Sequence, residues 1–393
     1  MPEPHDVAVL VADTHLQERN WSHRPMEGDS YYSFEQVITY AIDRNLPVIG
    51  AGDLIDRNLN RSGPIVFLSE QLRRLRDAGL PFFYIQGQHE LADVPWLELG
   101  GDNVRHLHNS WTIIDGVKIF GIDYQPAGKL QECLGNIPSN TDLVIMHQVW
   151  SDHMGSIANP QGSMSEIPFV QMVFTGDFHE THVQTIRNKQ GEPMIAVSPG
   201  STSMQSVSEP PDKHFFVLQL DDKKKLGVRP INLLTRPFID WDETLRSPDQ
   251  MDRFLDKVED EVQQRVAAFL SCCPQDAEGA HNPTDEHMSE PILRVEYSHM
   301  LERGAARIKA AVDRIPYPVH LFLKERPPEK PDVVERKTRR RKEGETAATT
   351  MSAMLPQFLE DQELSHLGAD VQRLLDAAEP GPELLRMKQE ALS

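Results

Sequence analysis

The chain has 393 residues and a formal net charge of −20, from 40 Lys and Arg against 60 Asp and Glu. That length predicts two or three domains, and 39% hydrophobic with 25% charged residues is ordinary for a globular protein. The acidity argues against a simple nucleic-acid binder that covers phosphates with its own positive field. No apolar run approaches the ~20 residues of a membrane span, so no membrane contact is predicted.

The N-terminus and the cysteines indicate the compartment. Residues 1–6 have no basic region before an apolar core, so no secretory signal is predicted. Cys133, Cys272 and Cys273 form no CxxC pair, and the two adjacent cysteines are poorly placed for a disulfide. We therefore expect a reduced, cytoplasmic protein without a thiolate metal site.

Residues 1–235 alternate between strand-like and helix-like patterns. Strands are predicted at 7–12, 47–52, 80–85, 111–122, 142–146, 171–175, 193–198, 214–220 and 226–234. Helical spacing of apolar residues predicts helices at 34–44 and 64–78. Short apolar strands separated by helices predict a layered α/β domain with its sheets inside.

Residues 240–326 read as a smaller second domain. Residues 240–290 contain 14 acidic and 4 basic residues, which is half of the net charge. An amphipathic helix is predicted between Met251 and Phe269, and residues 275–290 look like a polar loop. A β-α-β unit at 292–323, with its helix at 300–314, completes the predicted domain.

The remainder divides into a linker and a tail. Residues 327–350 begin with a proline-rich run and contain six basic and three acidic residues between 335 and 345. That run is either a solvated tether or a contact for DNA or a partner. Residues 351–393 carry two short amphipathic helical patterns, which cannot bury their apolar faces alone. We expect this tail to dock on the main body or on another protein.

Five short motifs occur in order, and the first three follow the first three predicted strands. They are Asp13-x-His15, Gly52-Asp53-x-x-Asp56, Gly87-Gln88-His89-Glu90, His147 after an apolar strand, and Gly176-Asp177-Phe178-His179. Ligand sites collect at the carboxyl ends of strands in α/β sheets. Oxygen and imidazole ligands without thiolate suit Mn²⁺, Fe²⁺, Zn²⁺ or Mg²⁺. The candidate ligands outnumber the needs of one ion, and two ions ~3.5–4 Å apart are the arrangement for phosphoester hydrolysis.

As an ordered set, the motifs resemble those of the calcineurin-like metallophosphoesterase superfamily. Its pattern is DxH, GDxxD, GNH(D/E), H and GHxH, each at a strand end. The resemblance implies an α/β fold, a four-layer α/β/β/α sandwich with a small β-α-β cap and a C-terminal helical tail. It also implies that Asp13, His15 and His179 hold one divalent cation and that Asp53 bridges to a second.

By the same resemblance, Gln88, His147 and Asp177 hold the second cation, and two of them depart from the family pattern. Gln88 stands for the family's Asn and keeps the amide with one more methylene. Asp177 stands for the first His of GHxH and adds a negative, harder ligand. We expect both to remain ligands and to favour Mn²⁺, with Mg²⁺ as the other choice, over Zn²⁺. The alternative is a weakened second site.

The resemblance assigns catalysis to His89 and Asp53. His89 would lie beside the scissile phosphate as a proton donor or charge stabiliser and would contact the substrate. Arg57, which follows the GDxxD motif, is a candidate phosphate contact, with a surface ion pair as the alternative. The implied reaction is metal-assisted hydrolysis of a phosphodiester.

Later segments resemble the SbcD family of DNA nucleases, which includes the meiotic recombination nuclease and phage recombination endonuclease subunits. Ser198-Pro199-Gly200-Ser201 followed by Lys213-x-Phe215 is similar to that family's PGS…KxF stretch. The resemblance implies DNA repair or recombination, or phage DNA processing, by an exo- or endonuclease. It also implies an SbcC-type coiled-coil ATPase partner that binds residues 351–393, and a homodimer within a heterotetramer.

Two other functional classes stay open at this point. One is a metallophosphatase or phosphodiesterase that acts on a small molecule or a phosphoprotein, because Gly52 to Arg57 and Glu90 also fit protein phosphatases. The other is a weakly active scaffold subunit that mainly binds an ATPase. The predicted linker and tail favour the nuclease over a free-standing phosphatase.

Overall fold

The computed structural model describes residues 4–17, 19–20, 26–56, 62–92, 95–152, 160–276 and 279–327. Arg57, the predicted tail at 351–393 and all of the predicted linker after Pro327 lie outside them, so their assignments stay predictions.

The elements are numbered in chain order. The strands are β1 (His5–Val11), β2 (Arg19–Asn20), β3 (Met26–Glu27), β4 (Val48–Ala51), β5 (Phe82–Ile85), β6 (Val104–His106), β7 (Ser110–Ile114), β8 (Val117–Ile122), β9 (Leu143–His147), β10 (Met172–Gly176), β11 (His182–Arg187), β12 (Pro193–Ser198), β13 (His214–Leu220), β14 (Leu226–Asn232), β15 (Phe238–Asp240), β16 (Ile292–Ser298) and β17 (His320–Arg326). The helices are α1 (Asp29–Arg44), α2 (Ser62–Asp77), α3 (Ala127–Gly135), α4 (Pro248–Leu270), α5 (Pro283–Met288) and α6 (Gly304–Val312).

Two six-stranded sheets form the larger part of the described chain. The first has the order β14-β13-β1-β4-β5-β6, in which β1, β4, β5 and β6 are parallel and β13 is antiparallel to both of its neighbours. The second has the order β11-β12-β10-β9-β8-β7, with a parallel centre and an antiparallel strand at each edge. The central strands β4, β5, β9 and β10 are buried along their whole length, as expected of parallel strands covered on both faces.

The two sheets pack face to face. One apolar cluster between them joins side chains of β1 and β4, such as Leu10 and Ile49, to side chains of β9 and β10, such as Ile145 and Phe174. A second cluster lies between the first sheet and helices α1 and α2, and a third lies against α3 on the outer face of the second sheet. The result is the predicted four-layer α/β/β/α sandwich.

Helix α1 illustrates how the sequence sets an outer layer. Phe34, Val37, Ile38 and Ala41 recur at helical spacing and are all buried against the first sheet. Asn45 ends the helix in a left-handed conformation, from which its backbone N–H donates to the carbonyls of the last turn.

A smaller, three-stranded sheet follows the sandwich in the chain. Strands β15, β16 and β17 form a parallel sheet that packs with α4 and α6 around its own apolar cluster. Helix α4 begins at a capping box, in which Ser247 and Gln250 satisfy each other's backbone N–H groups, with Pro248 in the first turn. None of the described helices has the length and apolar character of a membrane span.

Two local predictions are corrected by the structure. Residues 275–290 are not all loop, because Asn282 caps the short helix α5 with a side-chain hydrogen bond to the Asp285 N–H. Residues 111–122 are not one strand, because a turn at Asp115 and Gly116, both with positive φ, divides them into the hairpin β7–β8.

Candidate metal centre

The site is built at the carboxyl ends of five strands from both sheets. Asp13 and His15 follow β1, Asp53 follows β4, and Gln88 and His89 follow β5. His147 ends β9, while Asp177 and His179 follow β10. All five strands belong to the parallel centres of their sheets, so their carboxyl ends meet at one edge of the sandwich.

Asp53 lies at the centre of this group. Its Oδ1 accepts a hydrogen bond from the backbone N–H of His89 at 3.0 Å. Its Oδ2 lies 3.3 Å from Nε2 of His147 and 3.8 Å from Nε2 of both His15 and His89. The carboxylate therefore faces ligand atoms on several sides, which is the position that a bridging ligand occupies.

The imidazole of His147 is held in one orientation by the neighbouring strand. Its Nδ1 donates to the backbone carbonyl of Ala51 at 2.7 Å, and the ring is fully buried. Nε2 is thereby left to face Asp53 and lies 3.8 Å from Oδ1 of Asp177. In metal-ligating histidines, a hydrogen bond donated by one ring nitrogen commonly fixes the other nitrogen toward the metal.

Asp13, His15 and His179 form one end of the group, here called the first end. Nε2 of His15 and Nε2 of His179 lie 3.1 Å apart, and Nε2 of His15 lies 4.0 Å from Oδ1 of Asp13. Asp13 and His15 are buried, whereas His179 is about one-third exposed at 32%. Three ligand atoms in such proximity are arranged as the ligands of one cation.

Gln88, His147 and Asp177 form the other end, here called the second end. Nε2 of Gln88 donates to Oδ1 of Asp177 at 2.6 Å. The two positions that depart from the family pattern are therefore in direct contact across 89 residues of sequence. The extra methylene of Gln88 brings its amide to the carboxylate that replaces the family's histidine. The Asp177 backbone N–H donates to both carboxylate oxygens of Asp13, which joins the two ends.

The turns that carry these side chains are strained. Asp13, His15, Asp53 and Asp177 all have positive φ, between 41° and 82°. This conformation is uncommon outside glycine and costs on the order of 1 kcal/mol or more per residue. Four strained residues at one site are typical of a functional centre, because the surrounding fold must hold them there.

His89 is oriented by a residue of the neighbouring motif. Oδ1 of Asp56 accepts a hydrogen bond from Nδ1 of His89 at 2.8 Å. His89 is only 14% exposed, and its Nε2 is directed to the Asp53 side of the site. The GDxxD motif thus supplies a central carboxylate in Asp53 and an orienting carboxylate in Asp56.

Glu90 is buried behind the centre. Its Oε1 accepts the backbone N–H groups of Leu54 and Gly87 at 3.2 Å, so it ties the turn after β4 to the turn after β5. Burial raises the pKa of Glu90 to about 8, and the negative charge of Asp53 acts in the same direction. Gly87 packs so closely on Asp53 that a Cβ there would collide with its carboxylate.

The buried carboxylates and imidazoles of the site perturb one another's pKa values in ways that favour positive charge between them. Burial raises the pKa of Asp13 to about 6 and lowers that of His15 to about 3. Burial acts to lower the pKa of His147, but Asp53, Asp13 and Asp177 outweigh it and raise that pKa well above its ordinary value. For Asp53, burial opposes ionisation, yet His147, His15 and His89 hold its pKa below the ordinary range. The carboxylates thus favour positive charge on the ring that faces them.

Unpaired buried atoms test whether a metal would fit. Oδ2 of Asp53, Nε2 of His147 and Oε1 of Gln88 are buried and form no hydrogen bond among the described residues, although the first two face each other at 3.3 Å. Leaving such a group unpaired costs roughly 1–3 kcal/mol. Each can donate an electron pair to a divalent cation, and oxygen with imidazole suits Mn²⁺, Fe²⁺, Zn²⁺ or Mg²⁺. The residues fit the implied metal.

Several known proteins are similar to this chain. The protein named DNA double-strand break repair protein Mre11 from Methanosarcina mazei is 30% identical over 248 residues, covering 60% of this chain and 39% of that protein. Its Haloferax volcanii namesake is 24% identical over 270 residues, covering 66% of this chain and 58% of that protein. The uncharacterized metallophosphoesterase YhaO of Bacillus subtilis is 22% identical over 238 residues, covering 54% of this chain and 57% of that protein.

Two further findings complete the comparison. No family model matches the chain. The solved structure of TT1561 of Thermus thermophilus is 16% identical, with a match that covers 57% of this chain and 98% of that one at a TM-score of 0.36. The chain spans only about two fifths of the length of the Methanosarcina relatives, 39% and 40%.

The sandwich, the strand-end ligand set and these relatives point to the same class of protein. The relatives named Mre11 and the metallophosphoesterase YhaO support the resemblance to the calcineurin-like metallophosphoesterase superfamily that is seen in the motifs. The chain is similar to several archaeal proteins that carry the name Mre11.

The structure brings together nearly all of the residues singled out in the sequence. The predicted ligands and catalytic residues that meet at this edge are Asp13, His15, Asp53, Gln88, His89, His147, Asp177 and His179. Arg57 lies outside the described residues. Sequence reasoning gave no role to Asp56 or Glu90, although both stand inside quoted motifs, and it gave none to Glu209, which carries no local signal.

Proposed function

We propose that the protein is a two-metal-dependent DNA nuclease that hydrolyses phosphodiesters. The single observation that carries the proposal is the position of the Asp53 carboxylate, whose Oδ2 faces Nε2 of His15, His89 and His147 within 3.8 Å. A pair of ions ~3.5–4 Å apart requires a carboxylate that lies between them, with further ligands on both sides.

The two ends would hold one cation each. Asp13, His15 and His179 would hold the first, and Gln88, His147 and Asp177 the second, with Asp53 between them. When bound, such cations neutralise the phosphate oxygens and supply an activated water as the nucleophile. The chain's own part is to keep these ligands at fixed strand ends, where strained turns and buried partners leave them little freedom.

His89 would assist departure of the leaving oxygen. Because Asp56 accepts the Nδ1 hydrogen bond, the ring presents Nε2 to the centre. With Nδ1–H donated to Asp56, Nε2 carries a proton only when the ring is the imidazolium, and in that form the proton can pass to the leaving 3′-oxygen or stabilise a neighbouring phosphate oxygen. Such general acid–base assistance contributes typically ~10²–10⁴-fold to a rate.

The second end sets the choice of ion. The hydrogen bond from Nε2 of Gln88 to Asp177 leaves the other amide atom, Oε1, for the cation. Carboxylate and amide oxygens are hard ligands, so the second end should prefer Mn²⁺ or Mg²⁺ to Zn²⁺. In titrations with Mn²⁺ and Zn²⁺, Asp177→His should shift this preference toward Zn²⁺. An unchanged affinity and preference would refute this part of the proposal.

DNA as the substrate is supported by the relatives named for double-strand break repair. The net charge of −20 fits this only if contact with DNA depends on bound cations and a partner rather than on a positive surface. We therefore propose, with the sequence resemblance, that residues 351–393 bind an SbcC-type ATPase and that the protein is a homodimer within a heterotetramer. A role in phage DNA processing and a cytoplasmic location remain predictions.

One assay separates the nuclease from its alternatives. The full chain with Mn²⁺ is offered linear duplex DNA, single-stranded DNA or a chromogenic phosphodiester, alongside Asp53→Ala. Degradation of DNA that disappears in the variant supports the nuclease. Hydrolysis of the small ester alone would favour a phosphatase or phosphodiesterase, and no hydrolysis with tight ATPase binding would favour a scaffold.

The partner proposal has its own test. A chain that ends before residue 351 should lose the ATPase and keep Mn²⁺-dependent hydrolysis of the small diester. If the shortened chain still forms the complex, the docking segment lies elsewhere.

A further inference from the structure

A buried charged network lies directly behind His179 and is formed by the loop between β12 and β13, residues 199–213. Oε1 of Glu209 accepts a hydrogen bond from Nδ1 of His179 at 2.9 Å. Oε2 of Glu209 accepts from Nζ of Lys213 at 2.8 Å, from Oγ of Ser201 at 2.9 Å and from the backbone N–H of Gln205 at 3.1 Å. Both oxygens of this carboxylate are engaged.

The side chains of this network are buried and hydrogen-bonded to one another. Nζ of Lys213 also donates to Oγ of Ser201 at 2.8 Å, and the Lys213 side chain is only 3% exposed. A buried ammonium is retained only where a carboxylate and further acceptors compensate its lost hydration.

Because Oε2 of Glu209 already accepts from an ammonium, a hydroxyl and a backbone N–H, this carboxylate acts as an acceptor, and the proton between Glu209 and His179 belongs to Nδ1 of the imidazole. Nε2 is then the nitrogen that faces Nε2 of His15 at 3.1 Å. Glu209 thus selects which nitrogen His179 presents to the first end. The partly exposed ring of His179 is thus held by a carboxylate, whereas the buried ring of His147 is held by a strand carbonyl.

The loop is fixed to the same turns that carry the first end. The Ser201 N–H donates to the His179 carbonyl at 3.2 Å, and the Thr202 N–H donates to the Asp13 carbonyl at 3.4 Å. Gly200 has a φ of 76°, and a Cβ there would lie 2.8 Å from the His179 carbonyl oxygen. Only glycine allows this close approach without displacing the His179 turn.

We propose that Glu209 is a positioning residue for His179, fixing its tautomer and ring direction toward a cation at the first end, and that Lys213 and Ser201 hold Glu209 in place. This inference rests on the proposed metal-dependent function. It also gives a physical role to Gly200, Ser201 and Lys213, which the sequence alone identifies only by their similarity to the PGS…KxF stretch.

The test is calorimetric titration of the full chain with Mn²⁺ for wild type, Glu209→Gln and the matched control Asp212→Asn. Asp212 is an exposed acid of the same loop, so its replacement removes the same charge without touching the network. Glu209→Gln should weaken binding at the first end by ~10–100-fold, the usual effect of losing a hydrogen bond behind a ligand. Binding at the second end should change little, and the control should match wild type.

A direct readout of the ring accompanies the titration. In metal-free protein at alkaline pH, the imidazole ¹⁵N shifts of His179, assigned by comparison with His179→Gln, should report the Nδ1–H tautomer in wild type. Glu209→Ala should give a mixture of tautomers. A purely structural role for the loop would not alter the tautomer selectively.

The possible failures are distinguishable. If wild type binds two ions and a folded Glu209→Gln binds both equally well, the positioning role is wrong while the metal function stands. If Glu209→Gln does not fold in a thermal melt, Glu209→Asp decides, because its shorter carboxylate cannot reach both His179 and Lys213 and should show the same selective loss. If wild type binds no Mn²⁺, the proposed function itself is at fault and this inference is overturned with it.

Discussion

The two ends of the Asp53-centred site are supported in different ways. At the first end, the candidate ligand His179 is hydrogen-bonded to Glu209, which is itself held by a buried lysine of the same 199–213 loop. At the second end, Gln88 and Asp177 hydrogen-bond each other. A side chain held by residues outside the ligand set should keep its geometry when another ligand is substituted. Two candidate ligands that hydrogen-bond each other should instead show coupled effects on substitution.

The largest effect is expected from the residue that both ends share. Asp53→Asn preserves the shape of the side chain but removes its charge, so Mn²⁺ affinity should fall at least ~100-fold at both ends, beyond the loss typical of a supporting residue. Titration calorimetry measures this, with the exposed Asp43→Asn on α1 as the control. A loss confined to one end would mean that Asp53 does not bridge.

The next largest effect separates catalysis from metal binding. His89→Gln should slow hydrolysis by ~10²–10⁴-fold through loss of acid–base assistance, while Mn²⁺ affinity at either end stays close to that of wild type. The rate is measured with a small diester at saturating Mn²⁺, and His5→Gln, an exposed histidine remote from the site, is the control. If binding falls in step with the rate, His89 is a metal ligand.

A double-mutant cycle then examines the contact between the two departures. Gln88→Asn, Asp177→His and the double variant, which restores the family pattern, are compared by their Mn²⁺ affinity at the second end. Residues in contact usually show coupling energies of about 0.5–3 kcal/mol, so the double variant should bind more tightly than the single variants predict. Additive effects would show that the Gln88–Asp177 hydrogen bond does not matter for binding.

The smallest effect is the pH dependence of metal binding at the second end. Because Asp53, Asp13 and Asp177 raise the pKa of His147 well above its ordinary value, the metal-free ring carries a proton at neutral pH that a cation must displace. Affinity should therefore rise with pH, by about tenfold per pH unit for each proton released. Titrations in two buffers of different ionisation enthalpy count the protons, and a buffer-independent enthalpy would contradict the assignment.

Much of the fold was readable because its strands are short, apolar and bounded by turn residues. The strand-end motifs were readable for a related reason, since parallel strands gather their carboxyl ends at one edge. The edge strand β11 was missed because its side chains alternate between partly buried and exposed, and Val183 and Ile186 are its only apolar residues. Helix α5 was missed because its cap, Asn282, and its polar residues are equally typical of a loop.

The supporting contacts of the site were beyond local pattern. Glu209 lies 30 residues from His179, and Gln88 lies 89 residues from Asp177. Glu209 has no motif of its own, and only the path of the 199–213 loop over the His179 turn brings it to the ring. The sequence could therefore name the candidate ligands but not what holds each one in place.

The central claim is a pair of cations on either side of Asp53, and anomalous diffraction from crystals soaked in Mn²⁺ tests it most directly. We expect two anomalous peaks ~3.5–4 Å apart, one beside Asp13, His15 and His179 and the other beside His147 and Asp177, with Oδ2 of Asp53 between them. A single peak, or peaks away from the Asp53 carboxylate, would contradict the account.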